Sequence, residues 1–423
     1  MTVSDTAYKN YVQILTEELI PAMGCTEPIA IAYAAAKARE VLGMLPAEMT
    51  VAVSGNIIKN VKSVVVPHTG GLRGIVSAAA AGAVAGRADR ELEVISDVTD
   101  NQIEEIKNYI KNAVIQVEHA DTPHIFDIMI TAKWGKSQAF VRIAEHHTNV
   151  VCIQKDGVTL FEKEIVQKQN GLTDRAFMSV ESIVEFADRV DTRDVAPVLE
   201  RQIEYNMAIA EEGLAKPYGA NIGKTLLKNH GSDLSYKMRA YAAAASDARM
   251  NGCEKPVIIN SGSGNQGITT SVPVIVYARE KGLTHDELLK GLCVANLVTA
   301  HLKTGIGRLS AYCGAVSAGC GAAAGICYLQ GGRFHAIAHT VVNALAMDSG
   351  IVCDGAKASC AAKISSAIDA GLLGLEMYHS GDQFYGGDGL VKKGVENTIA
   401  TIGRLAQQGM GPTDKEIIRL MME

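Results

Sequence analysis

Nine cysteines are spread over 423 residues, and their spacing separates packing from chemistry. Cys313, Cys320 and Cys327 recur every seven residues. At about 100° per residue that repeat is a stripe on one face of one helix, and each step rises about 10 Å, too far for neighbouring thiolates to share an ion unless the helix breaks. Cys320 and Cys327 therefore read as small packing residues. Cys353 and Cys360, in CDGAKASC, differ because Asp354-Gly355 is a turn signal that lets the two thiols converge. Two convergent thiols are half a metal site. Cys313, near the start of its helix, is a candidate third ligand, and Cys25 of GCTEP, at a Pro-bounded helix end, a candidate fourth. No CxxC pair occurs, and neither zinc nor ferredoxin spacing matches.

Polar, glycine-rich stretches supply the other chemistry. NSGSGNQG, residues 260–267, interleaves glycines with Ser261, Ser263, Asn265 and Gln266. Exposed N–H groups and short polar side chains suit a carboxylate or phosphate, and the alternative is an ordinary turn. PHTGG, residues 67–71, is a second anion-loop candidate, with Thr69 as its hydroxyl. SGNIIKN offers Asn56, Lys59 and Asn60 to pair with an acid, or to face solvent as a loop. His68 and His147 are candidates for proton transfer, although an isolated histidine is more often structural.

These residues need elements to hold them. Hydrophobic residues make up 48% of the chain and charged residues 20%, with 41 Gly, 7 Phe and one Trp. A core of small aliphatic side chains at close backbone approach favours tightly packed helices. Residues 1–45 read as helical, the first helix ending at Pro21. From Thr50 to Phe161 short β-branched runs follow (TVAVS, KSVVV, AVIQVE, FDIMITAKW, QAFVRIA, NVVCIQ), with helices near 74–87 and 101–113. After Asp174 helical segments dominate: Ser179–Val190, Val195–Gly213, Ser235–Met250, His285–Leu302, Leu309–Leu329, Ala336–Ala346 and Val391–Gln408. The expected class is α+β, a mixed N-terminal α/β lobe followed by a mostly helical, Gly/Ala-rich lobe. Its divisions are 1–45, a helical segment carrying Cys25 into the site, 46–173, and 174–423, the cluster-binding lobe. No repeat of the length that builds solenoids is visible.

Forty Lys+Arg against 46 Asp+Glu leave a formal charge of −6 with no basic stripe, which argues against nucleic acid as a partner. The N-terminus lacks a basic-then-apolar signal pattern. Leu309 to Gly332 carries no charge, but Ala, Gly, Ser and Cys dominate it, so it reads as a buried helix rather than a membrane span. The expectation is a cytoplasmic protein whose odd cysteine count reflects thiols or metal ligands rather than disulfides. Its Gly/Ala-rich surfaces would suit a homo-oligomer.

Taken together, GCTEP, SGN..KN, HTN (147–149), SDARM (246–250), SGSGNQGIT (261–269), RLSAYC (308–313) and CDGAKASC resemble the L-cysteine desulfidase family, related to the iron–sulfur L-serine dehydratases. The similarity runs through almost the whole chain in the same order. It implies a [4Fe–4S] enzyme that converts L-cysteine to pyruvate, ammonia and sulfide through aminoacrylate. Carried over by motif, Cys313, Cys353 and Cys360 hold the cluster, and Cys25 is an active-site base or a resting ligand to the remaining iron. Three thiolates would leave one iron open as a Lewis acid for the departing group. The SGSGNQG loop, helped by Lys59 or Asn60, would grip the carboxylate. Where the family reads Pro-Gly-Thr, this chain has Pro67-His68-Thr69, which adds an imidazole.

Three other readings compete. L-Serine could replace L-cysteine on the same cluster. SYKMR (235–239) followed by SGSGNQG resembles the lysine and asparagine-loop motifs of pyridoxal-phosphate lyases, with Lys237 as the Schiff-base lysine; the matching downstream phosphate loop is absent. A non-catalytic iron–sulfur sensor would use the same cysteines without turnover.

Overall fold

Alanine and glycine set the distances at which this chain packs. The computed structural model describes residues 4–23, 26–165, 172–307 and 310–423. The first part runs α1 (Asp5–Glu18), β1 (Pro21–Met23), α2 (Thr26–Leu42), β2 (Glu48–Val53), α3 (Gly55–Val61), α4 (Gly74–Ala85), α5 (Asp100–Asn112), β3 (Val114–His119), β4 (Asp127–Trp134), β5 (Ser137–Ala144), β6 (Val150–Lys155) and β7 (Val158–Glu162). The second runs α6 (Val180–Arg189), α7 (Thr192–Ala215), α8 (Ile222–His230), α9 (Leu234–Met250), β8 (Pro256–Ile258), α10 (Gly264–Lys281), α11 (His285–Ile306), α12 (Gly314–Leu329), α13 (Phe334–Asp348), α14 (Cys360–His379), α15 (Val395–Arg404) and α16 (Gly411–Met422). The class is α+β, with the mixed lobe first.

A six-stranded sheet of order β3-β2-β4-β5-β6-β7 organises the first lobe. Its β2–β3 pair is parallel and the others are antiparallel. A parallel pair needs a crossover, here made by α3, α4 and α5. Alternate residues of β4 and β5, such as Ile128, Ile130, Val141 and Ile143, are buried with the alanines of α2 and α4. KSVVV is not a strand: after α3 it turns, making one isolated bridge between Val65 and Arg73. The Thr69 hydroxyl donates to the Val66 carbonyl at 2.7 Å and closes that turn.

In the second lobe α12 is buried along its length and packs on α10, α11, α13 and α14. A Cβ at its Gly319 would lie 2.4 Å from the Ala367 carbonyl of α14, so the chargeless composition serves helix contact. No helix among the described residues is long and apolar enough to cross a membrane. The helix begins at Gly314 rather than Leu309, because the residues before it pair with another segment.

The lobes are tied at both chain ends. Tyr11, Ile14 and Leu15 of α1 belong to the helical core, and β1 pairs antiparallel with β8, whereas α2 belongs to the sheet lobe. At the other end Ile418 of α16 joins the core of the sheet lobe.

Candidate active site

Two distant segments meet just before α12. The Cys313 N–H donates to the Ile351 carbonyl at 3.0 Å, the Cys353 N–H donates to Ala311 at 2.6 Å, and Tyr312 pairs antiparallel with Val352. Cys313 and Cys353 are therefore diagonal neighbours on one face of a short bridge, a relationship that separates them by about 7–8 Å along the backbone. Cys360 is the first residue of α14 and Cys313 the N-cap of α12. All three line one cavity of about 650 Å³, and none of the described cysteines is in a disulfide. Burial, followed by the neighbouring Cys353, pushes the Cys313 thiol up to about 12, against a backbone hydrogen bond from Ala315. Burial also raises Cys360. Such thiols stay protonated at neutral pH unless a metal replaces the proton.

The helix N-termini add positive potential. Beside α12 and α14, α10 opens onto the cavity with Ser263 as its N-cap, whose hydroxyl accepts from the Gln266 N–H at 3.5 Å. That leaves the Gly264 and Asn265 N–H groups at the helix mouth without a helical partner. Ser261 is turned inward instead: its N–H donates to Glu18 at 2.9 Å and its hydroxyl to Asn260 at 2.8 Å. The Gln266 carboxamide oxygen is buried without a hydrogen bond.

Opposite the loop stands α3. Lys59 is only 6% exposed and its ammonium is 2.5 Å from Asp414 of α16. Asn60 donates to Glu27 and to Asn56, both at 3.3 Å. His147 exchanges a hydrogen bond with the Thr26 hydroxyl at 2.9 Å through Nε2 and sits edge-on to Phe126. Burial lowers the His147 pKa, with nearby Glu27 opposing, so the imidazole is neutral near pH 7. Lys363 donates to Asp354 at 2.5 Å and to the Val352 carbonyl at 2.9 Å. Burial pulls its pKa down, but Asp354 outweighs this and the net shift is upward.

Residues 89–419 match the sequence profile described as serine dehydratase alpha chain. The chain belongs to this family. Among its relatives a UPF0597 protein of Desulfitobacterium hafniense is 57% identical over 423 residues, covering 100% of this chain and 98% of that one. A UPF0597 protein of Lachnoclostridium phytofermentans is 50% identical, with coverages of 98% and 100%. Another from Treponema denticola is 47% identical over the full length of both.

In this serine dehydratase alpha chain relative, the cavity gathers Asn56, Lys59, Asn60 and His147 with the loop residues Ser261, Ser263, Asn265 and Gln266 and the three cysteines. Cys25 lies outside the described residues. Thr69 does not line the cavity, because its hydroxyl is spent on the Val66 turn. His68 faces Glu254 at 3.4 Å at the surface. Lys237 pairs with Glu280 at 2.5 Å and does not reach the cavity, whereas a Schiff-base lysine has to face its substrate. Cys320 and Cys327 are packed inside α12, as their stripe implies.

Sequence reasoning missed the cations Lys303, Lys363 and Arg249 on the cavity wall. For Lys303 a signal existed: Asn296, Thr299 and Lys303 form a polar stripe at helical spacing on the otherwise apolar α11, and all three are buried.

Proposed function

We propose that this cavity is the active site of an iron–sulfur lyase that eliminates the β-substituent of L-cysteine, yielding sulfide and, after hydrolysis of aminoacrylate, pyruvate and ammonia. One observation carries the reading: thiols from two distant segments, Cys313 from one and Cys353 and Cys360 from the other, share a wall of the cavity whose other walls bear the polar groups an amino acid requires.

Cys313 and Cys353, diagonal neighbours across the bridge, and Cys360 at the start of α14 put three thiols on one cavity wall, the donor chemistry of an iron–sulfur cluster. Cys313, Cys353 and Cys360 would hold a [4Fe–4S] group, with Cys25 as base or resting ligand. When bound, such a cluster supplies Lewis acidity toward the departing sulfur or oxygen.

The chain's own residues do the rest. The N–H groups at the mouth of α10, with the hydroxyl of Ser263, orient the substrate's carboxylate. Asn56 and Asn60 hold polar groups of the amino acid across the cavity from the loop. Lys59, fixed by Asp414, adds a positioned cation. His147, neutral and oriented by Thr26, moves a proton. Breaking the Cα–H bond sends the proton to the base, and breaking the Cβ–S bond sends its electron pair out with sulfide.

The family's name favours a second substrate, L-serine, whose hydroxyl would take the place of the thiol. Anaerobically reconstituted protein should release sulfide from L-cysteine faster than pyruvate from L-serine, and Cys353→Ala should lose both iron and activity. A faster reaction with serine would exchange the substrate; loss of neither iron nor activity in Cys353→Ala would remove the ligand assignment. Iron binding without any turnover would favour the sensor reading.

A further inference from the structure

The cations around the cavity are unequal. Lys59 is paired with Asp414 and Lys363 with Asp354, and Arg249 reaches Asn265 at 3.5 Å. Lys303 is 8% exposed, yet its ammonium makes neither ion pair nor hydrogen bond among the described residues. It lines the main cavity and also a smaller one of about 190 Å³ that shares Glu18, Ser261 and Gly262 with it.

A largely buried, unpaired ammonium that opens only to a cavity costs a fold stability, and proteins retain such groups where a ligand completes them. Its position is rigid. Asn260, just before the glycine-rich loop, donates to the Asn296 side chain at 3.0 Å, and the Thr270 and Thr299 hydroxyls share a hydrogen bond of 3.0 Å. These contacts lock α11, and Lys303 one turn beyond Thr299, against the start of α10.

We propose that Lys303 is the cation that binds the α-carboxylate of the amino-acid substrate, facing the N–H groups at the mouth of α10. This rests on the reading of the cavity as an amino-acid lyase site. Lys59 is less suited, because Asp414 already balances its charge. The wall also carries Glu27, which suits a zwitterion and repels a phosphate dianion, whereas Glu18 is already paired with Arg175.

The test uses the full chain loaded anaerobically with iron and sulfide. The calorimetric probes are L-alanine, which has no leaving group, and L-alaninamide, which has no carboxylate. Lys303→Met should weaken L-alanine roughly 30-fold or more while changing L-alaninamide less than about threefold. Lys303→Arg should restore part of the loss. Because Met keeps the apolar stem without the charge, Lys303→Met should keep its iron and melt at the same or a higher temperature. Unchanged L-alanine affinity overturns the proposal. So does loss of iron, which would assign the charge to the thiolates instead, and so does a wild type that binds no L-alanine. A wild type that binds L-alanine through Lys303 yet releases nothing from L-cysteine or L-serine would leave this assignment standing and remove the lyase reading.

Discussion

Gly355 lies directly against the backbone of Lys59: a Cβ on Gly355 would stand 1.8 Å from the Lys59 carbonyl oxygen, which accepts the Ala356 N–H at 3.2 Å. The turn between two candidate ligand cysteines is thus docked on the helix that carries the polar residues opposite. Gly355 also has φ +92°, a conformation that glycine alone adopts easily. We expect Gly355→Ala to destabilise the protein by roughly 2–4 kcal/mol in urea unfolding and to lower iron retention. A variant as stable as wild type would mean that the turn shifts without consequence.

The Lys59–Asp414 pair joins the sheet lobe to the last helix. Removing the carboxylate strands a buried cation, so Asp414→Asn should cost about 2–3 kcal/mol. In a Lys59→Met background the same change should cost much less, and a double-mutant cycle should return a coupling above about 1 kcal/mol. Additive effects would show that α16 is held by Ile418 rather than by the ion pair.

Asp247, 1% exposed, accepts the Gly223 N–H at 3.1 Å at the start of α8. Burial pushes its carboxyl up to about 6, whereas an unfolded aspartate titrates near about 3.9. The folded state therefore holds the proton more tightly, so stability should fall as pH rises from about 4 to about 6 and be flat above. Asp348, also raised to about 6 by burial, adds to the same window. Asp247→Asn keeps the acceptor and removes the charge. Denaturation at pH 7 should show it more stable by about 2–3 kcal/mol, with a shallower slope at acid pH. An equal slope in both proteins would assign the effect elsewhere.

Much of the cavity is legible in the sequence because turn chemistry is local. Asp354-Gly355 announces that Cys353 and Cys360 leave a single helix face, and the glycines of 262–267 announce a loop. What joins those pieces is not local. The bridge that sets Cys313 beside Cys353 is made of plain backbone hydrogen bonds, and Asp414 reaches Lys59 from the other end of the chain. The run Ile268–Ala278 is β-branched and contains Pro273, so it shows no helical periodicity. It is nevertheless the buried helix α10, because a segment covered on all sides needs no polar face. Thr69 misleads for the opposite reason: its hydroxyl fits an anion loop and equally well a turn closure, and the fold uses the second.

The cysteines should divide into two classes by chemistry, and alkylation with mass spectrometry can read the division. Cys293 and Cys320 are fully enclosed, and burial pushes Cys293 up to about 12; neither should react with iodoacetamide before unfolding. Cys353 and Cys360 are only partly covered and open to the cavity, so reduced, iron-free protein should be labelled there. Loading with iron and sulfide should then protect both together, since each would be bound as thiolate to the same group. Protection of one without the other would mean that the two sulfurs do not serve a common centre, whatever the distance between them.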